Sequence, residues 1–527
     1  VNSFNDAFII PGYNIGLSGT FTGTLQQTNF ANVGGTAGSS LISSGQLATA
    51  NSLIALLGGT LNSGTQSFTQ ANISSPFQAV RQAAPFLNWN HALYASDRWN
   101  VMPGLTITGG VRWEMFPPLR LDSGLALEPV ISDPNNPAAS LLAGNGSFNV
   151  VGTNAGQEFR FYKFDKNNFA PSFGIAWSPN FESGIGKLIF GSAGKSVIRG
   201  GYSLAYFNDS IITTLNNTLT SGGTGNFGLG RTTSVAIGPL GTTTLNDRAN
   251  GALTNVAAPT TGTLPRSFLQ NNTNVQGFFG NAGAVDPNLQ NPATKQYSVG
   301  YQREFFGNMA FEIRYVGTSS DNLTRGLNLN QIDVVNNGFL ADFRRAQANL
   351  ALTGTTPFCN TATVTGCQAL TLFRSGAIGA GPLVVGTTLS AATFNTQLRN
   401  GTVADLAQLF VSNNLNNHPT LASPTNTPFV RFYQNPNIGQ IELFTNDGFY
   451  NYNSLQLEVR RRFSKGLYLQ ANYTFSKNLT DSIGTGQANF EPFLLNERRE
   501  LDKQRADFDQ THTFNFNGIY QLPFGKG

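Results

Sequence analysis

The sequence predicts an all-β protein: an antiparallel up-and-down meander whose strands are long enough to cross a membrane as a β-barrel. Three observations carry this. Charged residues make up only 11% of the 527 residues, against roughly 25% in a soluble domain. Apolar and polar residues alternate with period two in nine long stretches, the signature of strands with two unlike faces. Short and long connections alternate along the chain, as they do in outer-membrane barrels with short periplasmic turns and long extracellular loops.

The composition fits such a structure. There are 58 glycines, and aromatic residues reach 11%, mostly the 42 phenylalanines. No apolar run approaches the ~20 residues of a membrane helix.

The strands follow in order. Residues 88–99 alternate loosely. In 105–116, Leu105, Ile107, Val111, Trp113 and Met115 face one way, and Arg112 and Glu114 the other. In 168–178, Phe169, Phe173, Ile175 and Trp177 oppose alanine, serine and glycine. In 195–207, Ile198, Tyr202, Leu204 and Tyr206 oppose Arg199, Gly201 and Ser203. In 294–305, Tyr297, Val299, Tyr301 and Phe305 oppose Ser298, Gly300, Gln302 and Glu304. In 309–318, Met309, Phe311, Ile313 and Tyr315 oppose Ala310, Glu312 and Arg314. In 452–463, Leu455, Leu457 and Val459 oppose Ser454, Gln456, Glu458 and Arg460. In 467–477, Leu467, Leu469, Tyr473 and Phe475 oppose Gln470, Asn472 and Thr474. In 509–522, Phe514, Phe516, Tyr520 and Leu522 oppose Thr513, Asn515, Asn517 and Gln521. A tilted membrane-crossing strand needs about 9–11 residues.

Charge gives a second test. A Lys or Arg facing lipid at mid-membrane costs about 2–4 kcal/mol. The strand-interior charges Arg112, Glu114, Arg199, Glu312, Arg314 and Glu458 all take the polar parity. With Glu304 and Arg460 they are candidate lumen-lining residues. His91, Asp97, Arg303 and Arg461 take the apolar parity, each near a strand end where that cost falls.

The long links contain two amphipathic helices, 45–57 and 339–352. Residues 439–446 read as a further strand that pairs outside the membrane. Residues 209–293 and 353–430 read as loop. The first 85 residues form a loop-rich segment with one alternating stretch at 16–24, ahead of the barrel proper at 86–527. Cys359 and Cys367 are the only cysteines and are expected to close one extracellular loop as a disulfide.

Several function classes are excluded or weakened. Net charge is only +4, with no basic run beyond Arg460-Arg461-Arg462, so nucleic-acid binding is not expected. The histidines His91, His418 and His512 stand apart, and no catalytic, metal-binding or cofactor motif accompanies them. The run 191–196, GSAGKS, lacks the earlier glycine of a phosphate-binding loop, because Ile189 stands there. Gly223, Gly225 and Gly228 match a dinucleotide fingerprint in letters but lie in a Gly/Thr/Asn loop. The run 496–512 carries nine charges and is expected to form an ion-paired loop at the barrel mouth.

Six ordered blocks then bring a family into view: HALYASDRWNVMPGLTITGGVRWEMFPP, FAPSFGIAWSP, KSVIRGGYSLAYFND, NPATKQYSVGYQREFFGNMAFEIRYVGTSSDNLTRGLNLNQ, YNSLQLEVRRRFSKGLYLQANYTFSKNL and RADFDQTHTFNFNGIYQLPFGKG. Together they resemble the barrel of Oar-like TonB-dependent receptors of Gram-negative bacteria, which often carry a carboxypeptidase-regulatory-like domain. The blocks cover under half the chain. The resemblance implies outer-membrane localisation, contact with outer-membrane lipid, an extracellular substrate, and energisation by the TonB complex through a plug. It also implies a barrel of about 22 strands, so nine strands make an incomplete barrel, expected as an open wall with 88–99 or an earlier strand at one edge and 509–522 at the other. No plug, TonB box or regulatory domain is legible, and the chain reads as a fragment or as one whose signal peptide has been removed. A non-energised porin and an adhesive surface protein are the alternatives.

Overall fold

The computed structural model describes residues 2–5, 12–15, 25–30, 42–59, 61–68, 72, 74–79, 82–118, 120–121, 125–156, 159–208, 231–236, 258, 266–271, 280–305, 308–386, 389–419, 423, 427–464, 466–482, 491–522 and 524. The alternating stretch at 16–24 and the glycines at 223–228 lie outside the described residues.

All nine expected strands form. We number them β1 (His91–Met102), β2 (Leu105–Met115), β3 (Asn168–Trp177), β4 (Ser196–Tyr206), β5 (Ala293–Phe305), β6 (Met309–Asn328), β7 (Ile441–Ser464), β8 (Leu467–Thr480) and β9 (His512–Tyr520). Each pairs antiparallel with the next, so sequence order is spatial order. Turn chemistry sets several reversals. Gly104 holds φ at 84° between β1 and β2, and a Cβ there would lie 2.6 Å from the Ser178 carbonyl oxygen. Among the described residues β1 and β9 have no further strand outside them, so the wall is open.

Register proves the two faces. Residues directly opposite in an antiparallel pair point to the same side. Leu93 opposes Trp113, which opposes Phe169. The row Trp177, Ile198, Tyr301, Ile313, Leu457, Tyr473, Phe514 runs across seven strands. Arg199, Gly300, Arg314, Gln456 and Thr474 form one row of the opposite face. Leu457→Arg therefore places a cation on the apolar face and should destabilise the folded wall by about 2–4 kcal/mol. Gln456→Arg, one residue away on the polar face, should change it little. Urea unfolding in detergent micelles compares the two, and equal losses would remove the face assignment.

The apolar parity holds two surprises. Asp97 is not near a strand end: β1 extends to Met102, and Asp97 sits in its interior opposite Gly109. Lys295 also takes the apolar face, opposite Leu204. Its ammonium meets Asp321 at 2.7 Å on the neighbouring strand, close to the end where the chains leave the membrane.

Above the membrane-length segment β6 and β7 continue upward. The expected strand at 309–318 is the lower half of β6, and 439–446 is the upper end of β7 rather than a separate element. The two stay paired through irregularities between Ser320 and Arg325, where Asn322 adopts φ of 59°. Residues Ala282–Val285 add a parallel strand to the top of β7.

The stretch 353–430 is not featureless loop. It contains helices Ala391–Asn400 and Val403–Ser412, which pack with the expected helix Phe339–Thr353. Their core is Phe339, Phe373, Phe394, Phe410 and Phe432. Ser390 caps the first of these helices and Gly401 ends it in a left-handed conformation. Short capped helices leave little periodicity to read.

Asparagine, which reads as loop, is here a tie between loops. Buried Asn330 donates from Nδ2 to the carbonyls of Asn435, Ile438 and Gly439, and accepts from the Asn435 N–H. Buried Asp342 accepts from the N–H groups of Thr371, Leu372 and Phe373 and pairs with Arg345 at 2.6 Å. A second core joins Leu127, Phe148, Phe268, Ala284 and Leu443.

The N-terminal segment is tied to a long link by strand pairing. Its helix Ser44–Leu57 forms as expected, and its strand Leu61–Phe68 pairs with Gly12–Ile15 and with Arg231–Ala236 from the link after β4. Cys359 and Cys367 are joined, with Cα atoms 6.1 Å apart. Replacing both by serine should cost the upper layer about 2–3 kcal/mol in the chain-entropy model. A shift in its thermal midpoint, read with and without reductant, checks this.

Candidate functional site

The wall presents its charges on the polar face, graded from end to end. Toward the short-link end, β5, β6, β7 and β8 bring Glu304, Glu312, Arg314, Glu458, Arg460 and Gln470 onto one surface. Gly300 keeps the row between Arg199 and Arg314 clear of a side chain. Toward the long-link end of β2, Arg112 pairs with Glu114 at 2.7 Å, and Glu114 also accepts from the Tyr206 N–H. Between the two lies a trough of about 580 Å³ lined by Thr108, Ser172, Gly174, Gly201, Ser203 and Ser298.

The structure sorts the candidate residues by what they are bound to. Arg314 donates twice to the Gln456 amide oxygen. Glu458 accepts from Gln470. Glu304 meets Lys195 at 3.3 Å at the rim. The side chains of Arg199, Glu312 and Arg460 have no hydrogen-bonding or ionic partner among the described residues. Glu312 stands directly across from Glu458, an unfavourable like-charge pair.

Sequence reading missed a second feature, in the long-link layer. A cavity of about 540 Å³ is lined by Glu128, Asn149, Arg160, Tyr162, Lys163 and Phe164. Lys163 donates to the Asn288 side chain at 2.9 Å. Periodicity gives no signal here, because these residues come from short strands and links. Burial pushes the Glu128 carboxyl up to about 7. Glu442, at the top of β7 and well above the membrane-length part, is also pushed up to about 7 by burial. Its cross-strand neighbours are Asn328 and Gly283, neither of them charged.

A pH dependence follows. The ordinary carboxyl value is 4.5, so between 4.5 and about 7 the folded layer holds protons that the unfolded chain releases. Stability from these groups is therefore greatest below that window and falls as pH rises through it. Glu442, only 8% exposed, should contribute a loss of roughly 3 kcal/mol by pH 8. Hydrogen exchange of 438–446 between pH 5 and 8 measures it. Glu442→Gln should flatten the profile, and an unchanged slope would reject the assignment.

The charged run at 496–512 is engaged rather than simply solvated. Arg499 pairs with Asp447, Arg505 with Asp509, and Asp502 with buried Arg325. Among the described residues no group of three His, Cys, Asp or Glu is placed to hold a metal ion. Among the described residues no helix is long and apolar enough to cross a membrane. The crossing elements are strands.

An open meander with one apolar and one charged face defines the wall of a membrane β-barrel. The chain matches the family model described as outer membrane beta barrel domain over residues 14–527, and it belongs to that family. It is an outer-membrane protein. No curated protein matches it. Among solved structures it is similar to the ferripyoverdine receptor of the outer membrane of Pseudomonas aeruginosa, at 10% identity and a TM-score of 0.29, covering 84% of this chain and 27% of that one. It is also similar to the alcaligin outer-membrane receptor FauA of Bordetella pertussis, at 9% identity and 0.26, covering 88% and 39%. The outer-membrane transporter YddB of Escherichia coli gives 8% and 0.26, covering 80% and 39%. The chain thus spans between about a quarter and two fifths of these proteins.

Proposed function

We propose that the chain is the barrel wall of a TonB-dependent outer-membrane receptor of the Oar-like kind, a transporter rather than an enzyme. One observation carries the reading: the lumen face holds uncommitted charges, Arg199, Glu312 and Arg460, on a wall whose other face is built for lipid. A lumen that is charged but not internally neutralised suits hydrophilic cargo and a polar plug. The six sequence blocks that resemble the Oar-like barrel support the same reading. Substrate enters through the long-link layer, where the Glu128 cavity opens. In the complete receptor a plug fills the lumen, and TonB draws on it to open a path.

Two measurements on the complete protein test this. Its planar-bilayer conductance should be closed at rest, and a steady open pore would promote the porin reading. Uptake by cells should vanish when TonB is deleted. Uptake that persists would remove the energised mechanism while leaving the barrel intact.

A further inference from the structure

We propose that the helix Gly184–Phe190, in the link between β3 and β4, is a lipid anchor seated in the periplasmic leaflet of the outer membrane. Its Ile185, Leu188 and Ile189 enter the acyl region and Lys187 meets the phospholipid phosphates. The inference rests on the family's outer-membrane placement and on the short-link side being periplasmic. It does not depend on transport.

The link itself is unusual. Residues 178–195 join β3 to β4, whereas β1–β2, β5–β6 and β7–β8 turn within two or three residues. The extra chain is used to lay a helix against the lipid-facing side of the wall. The Tyr301 hydroxyl donates to the Ile189 carbonyl oxygen, and the Arg303 guanidinium donates to those of Leu188 and Ile189. Both side chains take the apolar parity: Tyr301 shares a row with Trp177 and Ile198, and Arg303 lies opposite Phe311. Phe190 packs its ring 6.1 Å from Trp177 and 6.1 Å edge-on to Tyr301. The helix is thus held on the outside of the barrel, not in its lumen.

These contacts account for Arg303 on an apolar face. A helix leaves its last carbonyls unsatisfied and carries partial negative charge there. Arg303 neutralises that end while remaining at the rim. A seven-residue helix is too short to persist alone, so the wall positions it.

Among the described residues nothing covers the other side of the helix. Ile185 is 76% exposed and Leu188 75%, with Ile189 beside them at helical spacing. Through Phe190 this helix adjoins Trp177 of β3 and Tyr301 of β5 on the apolar face of the wall. The Lys187 ammonium has no partner among the described residues, and its stem lets it reach the head groups. Trp177 and Tyr301 sit where interfacial aromatic residues collect. Apolar residues on one side and a cation at the boundary are what an interface-lying helix requires.

The test uses the intact protein purified from the outer membrane and reconstituted in phosphatidylethanolamine–phosphatidylglycerol vesicles. Leu188→Cys and, separately, Ile185→Cys carry a bimane label, with Ala193→Cys as the exposed control. The native pair Cys359–Cys367 is closed and does not take label. Both substituted side chains point away from the wall, so neither change removes a core contact. Lipid bearing a nitroxide at acyl carbon five should quench labels at 185 and 188 at least about twofold more than at 193. Iodide present on both sides of the bilayer should show the reverse order. Iodide quenching at 188 equal to that at 193 would overturn the proposal. So would a label reached by neither quencher, which would mean that protein covers the helix.

Discussion

Replacing Arg325 by alanine is expected to release residues 491–509 from the mouth of the wall at a cost of about 3–5 kcal/mol. Arg325 is 1% exposed at the top of β6. Its guanidinium lies 3.3 Å from Asp481 at the end of β8 and 3.3 Å from Asp502 in the charged segment. It stacks 3.8 Å over the Phe493 ring and donates to the Glu491 carbonyl. One cation therefore ties three stretches of chain together. Burial pushes the Asp481 carboxyl up even with Arg325 beside it. Without the cation, two carboxylates are left in a desolvated site.

The pH response distinguishes this from simple loss of packing. Protonating Asp481, whose carboxyl burial already pushes up, relieves the variant, so its loop should be better protected from protease at pH 5 than at pH 8. Arg325→Lys keeps the charge but not the planar fork that spans two carboxylates and stacks on a ring, so it should lie between wild type and alanine. Limited proteolysis at 491–509 reads all three. Unchanged protection in Arg325→Ala would show that the segment is held by something else.

Phe339→Ala is expected to loosen the long-link layer by about 3–5 kcal/mol while leaving the nine-strand wall in place. Phe339 is fully buried. Its ring meets Phe373 at 5.2 Å, Phe432 at 4.9 Å and Phe410 at 6.1 Å, each edge-on. Truncation takes away one centre of three aromatic pairs and leaves a cavity between helices. The wall has its own hydrogen-bonded ladder and its own lipid contact, so the loss should stay local. Faster reduction of Cys359–Cys367, with unchanged exchange in β5 to β8, is the expected pattern. Loss of protection in both regions together would mean that layer and wall fold as one unit.

The wall was legible in the sequence because its two faces meet different surroundings. Leu457 stands on the apolar face and Gln456 on the polar one, so neighbouring residues had to differ. That difference placed all nine strands, assigned Arg112, Arg199 and Arg314 to one side, and ordered the strands through the lengths of their links. The pairing of Cys359 with Cys367 was legible because there were only two cysteines to join. The contacts made by those residues were not. The Glu114 carboxylate is bound to Arg112 and Tyr206, whereas the Arg199 guanidinium is bound to no described residue, and nothing in the local pattern separates them. Lys295 on the apolar face became intelligible only once register brought Asp321 beside it. Above the membrane the signal ends for a physical reason. Ile441 to Thr445 are buried one after another, because protein covers both sides of the strand there. Period two records a contrast between two solvents. Where the tertiary structure wraps a strand on both faces, or builds a core from short capped helices and buried asparagines, no such contrast remains, and only the folded chain decides what pairs with what.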